Sequence, residues 1–150
     1  MDKVLYCFMG MTAVMDLIKR EIPGWMFWIF GIAGAIGRIS GSTGKMAAWP
    51  GLAAIAGSVA VGILLLVISR AARGAVGEGD GWFFVVSGLY VSWTVNLGLL
   101  CYGLVLSSIY GILLTVWGTV KGISVRKKKI PFLPFVSMAG IFMHVCQMWT

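Results

Sequence analysis

Long apolar runs, separated by short charged or glycine-rich stretches, make up most of this 150-residue chain. Of the five boundaries between the helices predicted from these runs, four contain lysine, arginine, proline or a Gly/Ser-rich stretch, which are ordinary signals for the end of a helix. The runs predict helices at residues 4–18, 25–38 and 51–69, two more within 82–120, and a last one at 132–149. The pattern therefore predicts an all-α, polytopic membrane protein with about six transmembrane helices. Residues 1–150 are expected to form a single integral membrane domain.

The tract from Trp82 to Val120 contains 39 residues and no charge. One crossing of a bilayer needs about 20 apolar residues, so this tract is long enough for two helices joined by a turn. The turn is predicted near Thr94 to Gly98. An even number of crossings also agrees with the basic residues that flank the tract on both sides.

Composition excludes an ordinary soluble domain. Hydrophobic residues make up 59% of the chain and charged residues 11%, whereas soluble domains carry about 25% charged residues. The net charge of +7 does not indicate nucleic acid, because the basic residues fall in short loops between apolar runs.

The distribution of those basic residues predicts the topology. Nine of the twelve lie in alternate loops, which would share one side of the membrane: Lys19, Arg20, Arg70, Arg73, Lys121, Arg126, Lys127, Lys128 and Lys129. Short cytoplasmic loops are enriched in Lys and Arg. The prediction is a multi-pass protein of the inner (cytoplasmic) membrane with both termini outside.

Neither the cysteines nor the histidine indicates a metal or redox centre. Cys7, Cys101 and Cys146 are far apart in the sequence, so they are expected to be buried thiols rather than a zinc or disulfide pair. His144 has no acid near it in sequence and is interpreted as a packing residue. No metal and no cofactor are therefore expected.

Acidic residues cluster at one predicted face of the membrane. Asp16 falls in the last turn of the first helix, and Asp80 begins the fourth within the segment Gly77-Glu78-Gly79-Asp80. Each has a structural interpretation: Asp16 could pair with Lys19 or Arg20, and Asp80 could be an N-cap. Acids near a membrane are costly, however, and are commonly functional.

Two carboxyls close together cannot both ionise readily, so they share a proton near neutral pH. The ionised carboxylate can then activate a water while the protonated one donates to the substrate, which is the chemistry of aspartyl proteolysis. Gly77 and Gly79 are expected to support the site, because glycine allows positive φ and close backbone approach, so that a substrate strand could come beside Asp80. Glu78 is expected to be solvated, and which aspartate holds the proton stays open.

Three segments resemble those of the GxGD membrane aspartyl proteases, most closely the type IV prepilin (leader) peptidases. The segments are Asp16 followed by "LIKREIP", the "GEGD" motif that ends at Asp80, and "IPFLPF" at 130–135. The resemblance implies that Asp16 and Asp80 are catalytic. It also implies that Pro131, Phe132 and Pro134 support the substrate site.

The resemblance further implies the substrate. The expected partner is a prepilin or pseudopilin, from which a basic leader is cut at the cytoplasmic face. The short link between the first two helices is similar to that of Flp/Tad-type peptidases, and competence or secretion pseudopilins are the alternative substrates. No large insert is present there, so methyltransferase activity is not expected. The lipid bilayer is the other expected partner, nucleic acid is not, and the oligomeric state is open.

Two other functions also fit an acidic pair in a small membrane protein. In a proton-coupled transporter, Asp16 and Asp80 would relay protons, although such acids are more often near the middle of the membrane. A non-catalytic protein of pilus or secretion assembly would tolerate Asp-to-Asn changes.

Overall fold

The computed structural model of the chain describes residues 3–19, 22–39, 52–72, 77–122 and 131–149. These residues form six helices and no strand. The helices are α1 (Lys3–Ile18), α2 (Gly24–Ile39), α3 (Leu52–Ala71), α4 (Glu78–Ser87), α5 (Trp93–Val120) and α6 (Leu133–Trp149). The all-α prediction is confirmed for the described part of the chain. Most of the predicted loops 39–45 and 121–129 lies outside the described residues.

Neighbouring helices form a continuous series in which α2 packs on α4, α4 on α3, α3 on α5, α5 on α6 and α6 on α1. The first, second, third and sixth helices begin and end within two residues of the predicted bounds. Each of these apolar runs is delimited by a charged residue, a proline or a glycine-rich loop, so the sequence carried clear boundaries.

The uncharged tract does form two helices, but the predicted position of the turn was wrong. Residues 94–98 are helical, and the chain bends earlier, between Ser87 and Trp93. Gly88 explains the position, because a Cβ built there would lie 2.5 Å from the carbonyl oxygen of Ser58 on α3. Only glycine lets the backbone of the bend come so close to that of α3. Because the chain bends here, α4 contains only ten residues.

Asn96 supplies hydrogen bonds at this bend. Its side-chain nitrogen donates to the carbonyl oxygens of Ser58, at 2.9 Å, and Phe84, at 3.0 Å. The Ser87 hydroxyl donates to the Asn96 side-chain oxygen at 2.7 Å. Asn96 is fully buried, so these bonds replace the hydrogen bonds to water that its side chain loses on burial.

Small residues also bring α3 and α4 together along their length. A Cβ on Gly62 of α3 would overlap the backbone nitrogen of Val85. A Cβ on Gly81 of α4 would lie 2.7 Å from the side chain of Leu66. Close backbone contact through small residues is a common way to pack helices in a membrane.

An aromatic cluster joins α1 to α4 and α2. The rings of Phe8 and Phe83 stack with centroids 5.2 Å apart, and Phe8 also lies 4.9 Å from Phe30. Phe8 and Phe83 are fully buried. Aromatic contacts of this kind add to the apolar burial that holds the helices in register.

One described helix, α5, is long and apolar enough to cross a membrane. Shorter apolar stretches occupy parts of α2, α3 and α6, at Gly24–Gly37, Ile55–Ala71 and Leu133–Cys146. The second half of α5 displays large apolar side chains outward, including Ile112, Trp117 and Val120, the last of which is 83% exposed. The full set of six membrane crossings stays a prediction.

The expectation of buried thiols was wrong. Cys7, Cys101 and Cys146 all lie on exposed faces of their helices. Apolar tracts are exposed as well as buried in this structure, so an apolar sequence context did not indicate which face of the helix each thiol occupies.

Candidate active site

Asp80 lies in the first turn of α4. The N-cap of that helix is Gly77, with extended backbone at φ −64° and ψ 128°. The interpretation of Asp80 as a capping residue is therefore wrong, since it is the third residue inside the helix. Its side chain is half-buried, whereas Glu78 of the same turn is exposed, as expected for a solvated residue.

The two glycines before Asp80 matter for space rather than for backbone angle. Among the described glycines, positive φ occurs at Gly122, so Gly77 and Gly79 do not use the positive φ that glycine allows. A Cβ on Gly77 would lie 3.1 Å from Oδ2 of Asp80. The Asp80 carboxyl thus folds back over a position where a side chain would press against it.

Asp16 projects from the same face of α1 as Phe8 and Thr12, because the three are spaced four residues apart. Since Phe8 stacks on Phe83 of α4, this face is directed towards α4. The Asp16 side chain is half-buried. Helical periodicity and the aromatic contact together bring the two predicted site aspartates, 64 positions apart in sequence, to the same region.

The two carboxyls affect each other electrostatically. Asp80 precedes Trp82, where the uncharged tract that is predicted to cross the membrane begins. Burial, and after it the negative charge of Asp16, raise the pKa of Asp80 from its ordinary 3.8 to about 7. Like charges and loss of water both disfavour a second carboxylate, so one proton is retained near neutral pH.

A third segment contacts Asp16 from α6. The backbone nitrogen of Leu133 donates a hydrogen bond to Oδ2 of Asp16 at 3.1 Å. Leu133 is the first residue of α6 and is fully buried. Sequence reasoning named Pro131, Phe132 and Pro134 in this segment but missed Leu133, whose contribution comes from its backbone.

The link between α1 and α2 reaches the glycine motif as well. A Cβ on Gly79 would lie 3.3 Å from Cδ1 of Ile22. The three segments singled out in the sequence therefore converge: the end of α1 with its link, the start of α4 and the start of α6.

Phe132 of the third segment packs against neighbouring helices. Phe132 lies with its ring centroid 6.4 Å from that of Phe84 and near Gly103 of α5. Pro131, Phe132 and Pro134 are all half-buried. Phe132 thus connects the start of α6 to α4, one helical turn after Asp80.

Known protein families provide a comparison for this arrangement. The family model described as the type IV leader peptidase family matches residues 3–116 of the 150. The chain belongs to the type IV leader peptidase family. No curated protein and no solved structure matches the chain.

The leader peptidase match covers both aspartates and the glycine motif, and it ends before the "IPFLPF" segment. In this leader peptidase family member, that segment is joined to the matched region by the hydrogen bond from Leu133 to Asp16. The Pro-Phe segment is therefore linked to the site by a contact rather than by the family match.

The single histidine of this family member lies elsewhere. His144 packs edge-on against Tyr6, with ring centroids 5.4 Å apart, in agreement with its interpretation as a packing residue. Within the described ranges, no three His, Cys, Asp or Glu residues come together as a metal site would require.

Proposed function

We propose that this protein is a membrane aspartyl endopeptidase in which Asp16 and Asp80 form the catalytic pair. The observation that carries the proposal is that burial, and after it the charge of Asp16, raise the pKa of Asp80 to about 7. Two carboxyls that share a proton at neutral pH are what acid–base hydrolysis of a peptide needs. Membership of the leader peptidase family supports the reaction class.

In the proposed reaction, the ionised carboxylate removes a proton from a water molecule, whose oxygen attacks the scissile carbonyl carbon. The protonated carboxyl donates to the carbonyl oxygen as the tetrahedral intermediate forms. That intermediate collapses with cleavage of the C–N bond, and the leaving nitrogen takes up a proton from the pair. The two carboxyls exchange roles between the steps, as a coupled unit.

The proposed substrate is a prepilin or pseudopilin with a short basic leader, cut at the cytoplasmic face of the inner membrane. A Flp/Tad-type substrate is supported by the short link between the first two helices, since α1 ends at Ile18 and α2 begins at Gly24. The same short link supports the absence of methyltransferase activity. Incubation with a labelled methyl donor and a cleaved pilin should leave the pilin unlabelled.

A membrane location is supported by the apolar surface of α5. Monomeric soluble proteins rarely expose large contiguous apolar patches, and Ile112, Trp117 and Val120 all exceed 60% exposure. The orientation is supported by the nine basic residues in alternate loops. A reporter fused after Lys129 should be detected in the cytoplasm, and detection outside the cell would overturn the topology.

The pair is tested by expressing wild type, Asp16→Asn and Asp80→Asn with a candidate prepilin and following loss of the leader by gel shift. Each substitution should lower cleavage by about 10²–10⁴-fold, the usual contribution of general acid–base catalysis. Glu78→Gln is the matched control, because it makes the same change two residues from Asp80 on an exposed side chain.

Processing at the wild-type rate by either aspartate variant would rule out the pair. A transport or assembly function would leave the prepilin uncut by wild type as well. Cleavage should persist in a chelator, whereas its abolition by EDTA would indicate a metallopeptidase.

A further inference from the structure

The start of α6 directs one backbone donor at Asp16. Leu133 is the first helical residue, and its nitrogen lies 3.1 Å from Oδ2 of Asp16. Pro134, which follows it, has no N–H group. The next two amides, of Phe135 and Val136, both donate to the carbonyl oxygen of Phe132. Of this first turn, the Leu133 amide is therefore the donor available to the carboxylate.

The position of this donor is fixed by packing on both sides. The Leu133 side chain is fully buried, as is that of Val136 one turn later. The Ser137 hydroxyl donates to the carbonyl oxygen of Met9 on α1 at 3.0 Å. Because α6 is tied to α1 in this way, the amide meets Asp16 without rearrangement of either helix.

The position of the Leu133 amide at the start of α6 strengthens its effect on Asp16. The first N–H groups of a helix bear the positive end of its macrodipole, and a hydrogen bond from an amide to a carboxylate favours the ionised form. Asp80 also lies in the first turn of a helix, but burial, and after it the negative charge of Asp16, outweigh that effect and raise its pKa.

The other charged side chains near the pair in the described residues are exposed. On α3, Arg70 lies one turn beyond Leu66, which packs against Gly81 beside Asp80. On α1, exposed Lys19 lies one turn beyond Asp16, and on α4 exposed Glu78 shares the turn of Asp80. On α6 the titratable side chains are Cys146 and His144, and the latter packs on Tyr6 near the opposite end of α1 from Asp16.

We infer that the backbone amide of Leu133 holds Asp16 as the ionised member of the pair, so that the shared proton resides on Asp80 when substrate binds. The inference rests on the proposed function and assigns its two roles. Asp16 takes the proton from the attacking water, and Asp80 donates its proton to the carbonyl oxygen. Leu133 is then a positioning residue that acts through Asp16.

Leu133→Pro tests the inference, because proline removes the amide hydrogen and fits the first position of a helix. Leu133→Ala is the matched control, since it loses the buried leucine side chain as Leu133→Pro does but keeps the backbone amide. The measurement is the pH dependence of leader cleavage by purified protein, with thermal unfolding of both variants alongside.

The acid limb of the Leu133→Pro profile should move upward by about one pH unit relative to Leu133→Ala, as expected for loss of a hydrogen bond to a charged group. The basic limb should stay in place. Superimposable acid limbs in the two variants would overturn the inference, and a shift of the basic limb alone would assign the proton to Asp16 instead.

If Leu133→Pro does not fold, the α-hydroxy analogue of leucine introduced at position 133 replaces the amide by an ester and keeps the side chain. Its control is leucine inserted by the same suppressor tRNA, and the same shift of the acid limb is expected. Failure of the proposed function looks different, because wild type would then not cleave or Asp16→Asn would cleave normally.

Discussion

Cδ1 of Ile22 occupies the space next to Gly79, 3.3 Å from where a Cβ at that position would lie. Gly79→Ala should therefore push the link between α1 and α2 away from the start of α4 by a few tenths of an ångström. The atom that must move is the tip of a flexible side chain, so we expect a small loss of stability. We expect a larger loss of cleavage, about tenfold or more, since small misplacements of catalytic groups are costly.

The double variant Gly79→Ala/Ile22→Val checks this explanation. Valine lacks Cδ1, so it should restore much of the cleavage lost in Gly79→Ala, measured by gel shift at equal protein levels. Equal activity of the single and double variants would show that the contact with Ile22 does not explain the requirement for glycine.

The raised pKa of Asp80 predicts the basic limb of the pH–rate profile. Cleavage should decline above about pH 7, because deprotonation of Asp80 leaves two carboxylates and no acid. The decline should approach tenfold per pH unit, as for loss of one essential proton. A rate that stays constant from pH 6 to pH 9 would contradict it.

The same pKa predicts a change in stability with a definite sign. The folded state holds the Asp80 proton up to about pH 7, and the unfolded chain releases it near 3.8. The stabilisation is thus fully present below the lower value and is lost as pH rises through the higher one.

Thermal unfolding in detergent measures this effect. The Tm of wild type relative to Asp80→Asn should fall by roughly 3 °C per pH unit across that interval. Glu78→Gln, with the same charge change on an exposed side chain, should retain the wild-type slope. A parallel pH dependence in wild type and Asp80→Asn would exclude Asp80 as its source.

Gly62→Ala should destabilise the protein strongly, because its Cβ would overlap the backbone of α4 at Val85. Backbone atoms in a packed helix pair cannot move aside as a side-chain tip can, so we expect a loss of about 3 kcal/mol, at the upper end for overpacking. Gly10→Ala is the control, since nothing lies within 4 Å of its Cβ position. It should be neutral or stabilising by about 0.5–1 kcal/mol, as measured by thermal unfolding.

Asn96→Ala should lower stability by about 2 kcal/mol, because it removes hydrogen bonds to Ser58 and Phe84 in a fully buried setting. That corresponds to a Tm decrease of about 4–8 °C for a chain of this size. Thr94→Ala changes an exposed residue two positions away and should change Tm little. Equal Tm values for the two variants would contradict a structural role for Asn96.

Much of the fold could be predicted because apolar runs are easily recognised when charges bound them. The exception is the bend after Ser87, which no charge or proline marks. Its position depends on the fit of Gly88 against the backbone of α3, and contacts between helices leave no local trace in the sequence.

The same distinction applies to the candidate site. Asp16 and Asp80 could be singled out because acids are rare in this chain. For Gly77 both positive φ and close approach were open, since a glycine in a sequence does not reveal which of the two the structure uses. The amide of Leu133 could not be found from residue types, because every residue except proline has one.

The shortness of α4 has a consequence for how the protein would meet a bilayer. Ten helical residues rise about 15 Å, half of a hydrocarbon core of about 30 Å. With Asp80 at the membrane surface, the helix from there to Ser87 would rise about 10 Å, so the bend would lie inside the hydrocarbon core, where carbonyl groups released from a helix find no water. Asn96 and Ser87 would there supply the hydrogen bonds that water supplies elsewhere. A short helix could therefore end inside the membrane.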